Sequence, residues 1–292
     1  MAGGKDINDP DAFVLYRYHP SLPAAAIFVA LFGISSALHM YQAIRKRALF
    51  MVPFIIGGLF ETVGYIGRIQ SSQDQYELGP FIMQTLLLLV APALFAASIY
   101  MVLGRIILLT NGEPYSLIRR TWLTKIFVTG DILSFLLQGA GGGLMSSGKS
   151  DPDKIKLGEH VILVGLFTQI AFFGFFVIAA LIFQHRGRAH LAKIGPETPW
   201  KRHLTMLYVT SIFILIRSIF RVVEYLQGNA GYLLRHEVFL YIFDAVLMLG
   251  VMVALNWVHP GDIARLLKEK DLRGDVVELN RPISEDRNKS YP

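Results

Sequence analysis

The sequence predicts an all-α fold: a polytopic membrane protein whose seven transmembrane helices form one bundle, N-terminus outside and C-terminus cytoplasmic. Three observations lead there: an apolar composition, seven apolar runs of spanning length, and basic residues gathered on alternate connections. Of 292 residues, 53% are hydrophobic and only 17% charged, and the mean hydropathy is +0.46. That balance is too apolar for an ordinary soluble domain.

A stretch of about 20 apolar residues crosses a hydrocarbon core as a helix. The first run, 21–44, ends on Arg45, Lys46 and Arg47, and the second, 48–69, follows at once. The third, 80–109, is separated from the fourth, 121–145, by Arg119 and Arg120. Lys149, Lys154 and Lys156 precede the fifth, 157–183, and Arg186, Arg188, Lys193, Lys201 and Arg202 lie between it and the sixth, 204–226. Arg235 precedes the seventh, 237–258, after which come Arg265, Lys268, Lys270 and Arg273. The connections are short, as in one compact bundle. With Lys5 and Arg17 added to the sparser side, fourteen basic residues face six. The positive-inside rule therefore puts the C-terminal side in the cytoplasm.

The expected organisation is an extracellular N-terminal segment (1–20), a membrane domain (21–258) and a polar cytoplasmic tail (259–292), flexible or at most a short surface helix. Asp6, Asp9 and Asp11 are unlike a signal peptide, and the opening Met-Ala does not fit a myristoylation pattern. The tail's Asn288-Lys289-Ser290 sequon is expected to face the cytoplasm unmodified. Cysteine is absent, which excludes disulfides, thiolate nucleophiles and thiolate metal sites. The charge of +6 forms no recognition helix or arm, so no nucleic-acid partner is expected. Residues 143–150, GLMSSGKS, match the phosphate-loop pattern by letter. They follow an apolar span rather than a strand and precede Asp151-Pro152, so no nucleotide site is expected.

Polar residues inside the spans carry the functional reading, because an ionisable group at the bilayer centre costs at least about 2.5–3.5 kcal/mol and needs a partner or water. Glu61, Tyr65 and Arg68 share the i, i+4, i+7 spacing of one helix face. Arg217, Arg221 and Glu224 repeat that spacing on the sixth span, and Glu237, Tyr241 and Asp244 on the seventh. Asp131 and Gln138 add a stripe on the fourth, while Gln84, His160 and Gln169 come from the third and fifth. These residues are expected in the outer half or near the midplane, around a cavity or network opening outward. His39, Tyr100 and Arg105 fall in the inner half, with Arg105 snorkelling.

Charge counting sharpens the expectation. Glu61, Asp131, Glu224, Glu237 and Asp244 outnumber Arg68, Arg217 and Arg221 by two, so full internal pairing requires protonated acids, a charged His160 or an entering cation. A metal site built on His160 fits poorly, since catalytic zinc draws on several histidines. Pro53 and Pro92 read as kinks inside the second and third spans. Gly64, Gly67, Gly139, Gly141, Gly142 and Gly143 read as packing positions beside the polar stripe.

The segments GYIGR (64–68), APALFAASIYMVLGRII (91–107), DILSFLLQGAGGG (131–143), RSIFRVVEYLQGNAG (217–231), YIFD (241–244) and HPG (259–261) resemble the fungal lipid-translocating exporter family, also called the RTA-like proteins, across all seven spans. The resemblance implies an integral membrane protein, usually at the plasma membrane, linked to resistance against toxic amphiphiles and to movement of sphingoid long-chain bases. Some relatives are linked to porphyrin or haem traffic. The matching positions are Glu61, Tyr65, Arg68, Gln84, Asp131, Gln138, Arg217, Arg221, Glu224, Glu237 and Asp244.

The function expected is a translocator of lipids or amphipathic compounds without ATPase activity or a bound cofactor. Its partners would be membrane lipids, amphipathic small molecules and protons, with Glu61, Asp131 and Asp244 as proton carriers. The alternatives are a seven-span amphiphile sensor, a haem or porphyrin handler using His39, His160 and tyrosines, and a metal-dependent lipid hydrolase.

Overall fold

The computed structural model describes residues 16, 18–75, 77–147, 152–195, 198–227 and 231–279. Lys5, Asp6, Asp9, Asp11, Arg17, Lys149, Asp151 and the Asn288 sequon lie outside them. All seven expected spans are helices long and apolar enough to cross a membrane. They are α1 (Leu22–Arg45), α2 (Val52–Gln73), α3 (Leu78–Leu109), α4 (Arg120–Ser147), α5 (Pro152–Arg186) and α6 (Trp200–Leu226). The seventh, α7, joins the helical turn Glu237–Leu240, a π-helical stretch Tyr241–Val246 and the α-helix Leu247–Trp257. An eighth helix, α8 (Gly261–Leu279), follows.

Local chemistry sets the boundaries. Pro23 falls in the first turn of α1, where a missing N–H costs nothing. Arg47 takes a left-handed φ of 51° and reverses the chain after α1. A 3-10 turn, Leu49–Met51, then feeds α2. This turn corrects the reading of Pro53 as a mid-span kink, because Pro53 sits in the first turn of α2. Pro92 does lie inside α3.

Each helix packs on its predecessor, α7 closes the bundle against α1 and α6, and α3 also touches α6. The apolar window of α3 is 56% buried against 28% for α1, so α3 is the central post and α1 an outer one. The distribution of residue types is that of a protein dissolved in lipid. Ile34, Leu136, Phe167, Ile178 and Ile212 are exposed, whereas Glu61, Arg68, Asp131, Arg217, Glu224 and Asp244 are buried. The chain is an integral membrane protein.

The α4–α5 contact depends on small residues. A Cβ on Gly141 would stand 2.6 Å from the Gly158 carbonyl oxygen, a backbone atom that cannot swing away. Nothing lies within 4 Å of a Cβ on Gly139, two residues earlier. Gly141→Leu is therefore expected to lower stability by about 1–3 kcal/mol through overpacking, while Gly139→Leu leaves it nearly unchanged. Thermal unfolding of the two variants in the same detergent checks this.

Of the two forms expected for the tail, flexible or a short helix, residues 261–279 take the helical one as α8. Ile263 and Leu267, one turn apart, are buried in the main core, and Lys270 donates to Asn111 Oδ1 at 2.8 Å. The helix packs against α3.

Candidate functional site

Two charge pairs cross-link helices at the end of the bundle that carries the N-terminus, and a third lies within α6. At the rim, Arg68 on α2 donates from Nη2 to Glu237 Oε1 and to the Tyr18 hydroxyl, each at 2.7 Å. Its Nε donates to the Tyr241 hydroxyl at 3.1 Å. Glu237 also accepts the Ser21 amide on both oxygens, at 2.9 and 3.1 Å, which places a carboxylate at the start of α1, where a helix dipole favours negative charge. One arginine thus ties α1, α2 and α7 together. Burial pushes the Tyr18 and Tyr16 phenols above the ordinary tyrosine range, opposed in part by Arg68. Both stay neutral hydroxyls, and Tyr16 donates to Gln84 Oε1 at 3.0 Å.

Deeper in the bundle, Arg217 on α6 donates from Nε to Asp244 on α7 and from Nη2 to the Leu88 carbonyl at 2.7 Å. The second bond has a backbone cause. Residue 92, four positions on from Leu88, is a proline without an N–H, so the Leu88 carbonyl lacks its helical donor. In lipid such a carbonyl needs another partner, and Arg217 supplies it. The third pair, Arg221–Glu224, lies within α6 at 2.5 Å, with the Arg221 guanidinium over the Tyr225 ring.

The surplus of two acids now has names. Glu61 and Asp131 are buried, and none of their four carboxyl oxygens finds a well-formed hydrogen bond. Glu61 lies within electrostatic reach of Asp244 and Arg217. Asp131 lies against the Tyr100 hydroxyl in a nest of Phe127, Phe173 and Phe176 around that ring. The two carboxyls therefore occupy different parts of the bundle. Tyr65 joins the Glu61 group, stacked with Phe28 and Phe32 at 5.6 and 5.5 Å between centroids, its hydroxyl without a hydrogen-bond partner.

A cleft of about 350 Å³ opens beside this network between α3, α4, α5 and α6. Its walls are mainly apolar, among them Phe81, Leu86, Leu89 and Ile162, with Gly139 and Gly142 forming part of the α4 side. Four side chains with polar atoms line it, Thr85, Gln138, Arg221 and Tyr225. Arg221 Nε and Gln138 Oε1 are buried and make no hydrogen bond, so one donor and one acceptor are unused there. The Gln138 amide nitrogen reaches Gln169 Oε1 only at 3.4 Å.

The residues expected around one outward cavity are divided by the structure. Glu61, Tyr65, Arg217 and Asp244 form the deep group; Tyr18, Arg68, Glu237 and Tyr241 form the rim group. Asp131 stands with Tyr100, Gln84 bonds the N-terminal segment, Gln138 and Arg221 belong to the cleft wall, and Glu224 stands behind it, paired with Arg221. The weak metal candidate His160 is corrected. It is exposed and bonds its own helix at Lys156 O, and among the described residues no group of three metal-ligating side chains forms. His39, the other haem candidate, is buried with Nε2 on the Met252 carbonyl at 2.9 Å. Arg105 lies over the Phe50 ring at 3.9 Å. Residues 143–147 of the phosphate-loop match are the end of α4, and 148–150 lie outside the described residues.

Sequence reasoning missed Tyr16, Tyr18 and the Leu88 carbonyl. Only the last left a signal, since a proline inside a span marks an orphaned carbonyl four residues earlier. The π-helical stretch left none. It changes the angular step in α7, so Glu237 and Tyr241 meet Arg68 while Asp244 turns to Arg217, and such stretches are frequent at functional sites.

Comparison with known proteins adds the family. The chain is 39% identical over 280 residues to protoporphyrin uptake protein 1 of Saccharomyces cerevisiae, covering 84% of this chain and 91% of that one. It is 39% identical over 264 residues to protein RTA1 of the same yeast, covering 82% of each. It is 26% identical over 277 residues to the yeast sphingoid long-chain base transporter RSB1, covering 83% of this chain and 72% of that one. No solved structure matches. The family model described as RTA1 like protein matches residues 54–266, from α2 into α8, and the chain belongs to that family.

Proposed function

We propose that the protein translocates amphipathic molecules with a polar or amine-bearing head, such as long-chain bases, across a fungal plasma membrane without hydrolysing a nucleotide. The observation that carries this reading is the cleft, whose apolar walls suit a tail and whose Arg221 Nε and Gln138 Oε1 have unused capacity for a head. A hydroxyl, or an acceptor beside an amine, satisfies both atoms. Relatives named for a sphingoid base and for protoporphyrin support an amphiphile as cargo, since both are large apolar molecules with a small polar part. Glu61 and Asp131 are the carriers proposed for a proton or a cationic head. The basic side of the bundle faces the cytoplasm in this reading, so the cleft opens from the outer half.

Filling the cleft tests the proposal. Apart from its own helix, no atom lies within 4 Å of a Cβ on Gly142, and Gly142 lines the cleft, so the side chain of Gly142→Leu starts in open space and extends into cleft volume. It is expected to keep the melting temperature and to cut binding of a fluorescent sphingoid base to the purified protein at least about tenfold, one lost buried contact set of roughly 1.4 kcal/mol or more. Unchanged binding and unchanged uptake into liposomes would remove the cleft from the transport path.

A further inference from the structure

The opposite end of the bundle holds a second cavity, of about 530 Å³, between the last turn of α1, the reversal after it and the first turns of α8. Five cationic side chains line it: Arg45, Lys46, Arg47, Arg265 and Lys268. One lining acid, Asp262, pairs with Lys46 at 2.7 Å, and Arg265 pairs with Glu269 at 2.9 Å. The first bridge holds α8 against the reversal, the second lies within α8, and together they consume two of the five positive charges. Arg45 reaches only the Tyr41 hydroxyl, at 3.3 Å. Arg47 and Lys268 have no carboxylate partner among the described residues. Three cations therefore share one cavity without a counter-charge among the described residues.

We propose that this cavity binds the phosphate-monoester headgroup of an anionic membrane phospholipid. The excess of three positive charges suits a headgroup carrying more than one negative charge, which a simple phosphodiester does not. Arginine and lysine donors supply charge-assisted hydrogen bonds to phosphate oxygens. The cavity wall also argues for a lipid rather than a soluble anion. Leu38 and Tyr41 line it and continue the exposed apolar face of α1 through Ile27, Leu31 and Ile34, so a headgroup seated among the cations leaves its acyl chain along that face. Left-handed Arg47 and the Lys46–Asp262 bridge fix the cavity, so the site depends on α8 being docked.

The test uses the full-length protein in phosphatidylcholine nanodiscs, with phosphatidylinositol 4-phosphate as the probe lipid and inorganic phosphate as competitor. Each cation near an anionic headgroup contributes roughly fivefold in affinity. The triple variant Arg45→Gln, Arg47→Gln, Lys268→Gln, which spares both salt bridges, is therefore expected to bind the probe roughly 100-fold more weakly. A matched variant, Arg119→Gln, Lys193→Gln, Lys201→Gln, removes three charges from the same face elsewhere and is expected to bind as the parent does. Equal weakening by both variants would mean nonspecific surface charge and overturn the site. Unchanged binding by the first, at an unchanged melting temperature, would overturn it as well. Competition by inorganic phosphate as strong as by the lipid would assign the cavity to a soluble anion and overturn the lipid.

Discussion

Arg217→Ala is expected to lower the stability of the protein by about 3–5 kcal/mol, the usual effect of removing one partner from a buried ion pair. Arg217 is buried on α6 and holds two groups, the Asp244 carboxylate on α7 and the Leu88 carbonyl that Pro92 orphans on α3. Alanine leaves a charge and a carbonyl unsatisfied in lipid-surrounded protein, where no water replaces the lost donors. Arg217→Lys keeps the charge but not the planar fork that reaches both acceptors, so an intermediate loss is expected. Arg217→Met combined with Asp244→Leu removes the uncompensated charge and is expected to be more stable than either single change, short of the parent because the Leu88 carbonyl stays unpaired. Thermal unfolding of the parent, Arg217→Ala, Arg217→Lys, Arg217→Met, Asp244→Leu and the double variant in one detergent reads the series. A double variant no better than the sum of the two singles would mean that the residues are not coupled as the geometry places them.

The spans were legible because lipid imposes a simple rule, about 20 apolar residues between charged connections, and each of the seven runs became a helix. The need for two unpaired acids was legible too, from counting alone. Which acids they are was not, because pairing depends on helix rotation and depth. The spacing of Glu237, Tyr241 and Asp244 placed them on one face, an inference valid for 3.6 residues per turn and broken by the π-helical stretch Tyr241–Val246. Pro53 looked internal because the apolar run continues through the 3-10 turn Leu49–Met51. In α8 the signal was present and outweighed: Ile263 and Leu267 stand one turn apart in a segment whose charge reads as solvated. A deletion that starts at Gly261 would consequently strip two core residues, whereas a cut after Leu279 spares them.

Glu61→Gln and Asp131→Asn are expected to separate function from architecture. Neither carboxyl is in an ion pair among the described residues; Glu61 has no hydrogen bond to lose, and Asp131 meets only the Tyr100 hydroxyl, which an amide oxygen can still accept, so the melting temperature should stay close to the parent's, in contrast to Arg217→Ala. If these groups hold the proton or the cationic head of the cargo, each change removes a charge-assisted hydrogen bond of about 1.5–3 kcal/mol, which corresponds to a roughly 10- to 100-fold loss of transport. Glu61 lies near the Arg217–Asp244 pair, whereas Asp131 lies near Tyr100 among phenylalanines, so the two sites are separate steps rather than one shared clamp. The double variant should then lose the product of the two single effects, because changes at groups without shared partners combine independently. Efflux of a sphingoid base from proteoliposomes, measured across pH, provides the comparison. Full transport by both single variants, with an unaltered pH profile, would leave Glu61 and Asp131 as tolerated acids of the bundle and place the polar chemistry of translocation with Arg221 and Gln138 at the cleft.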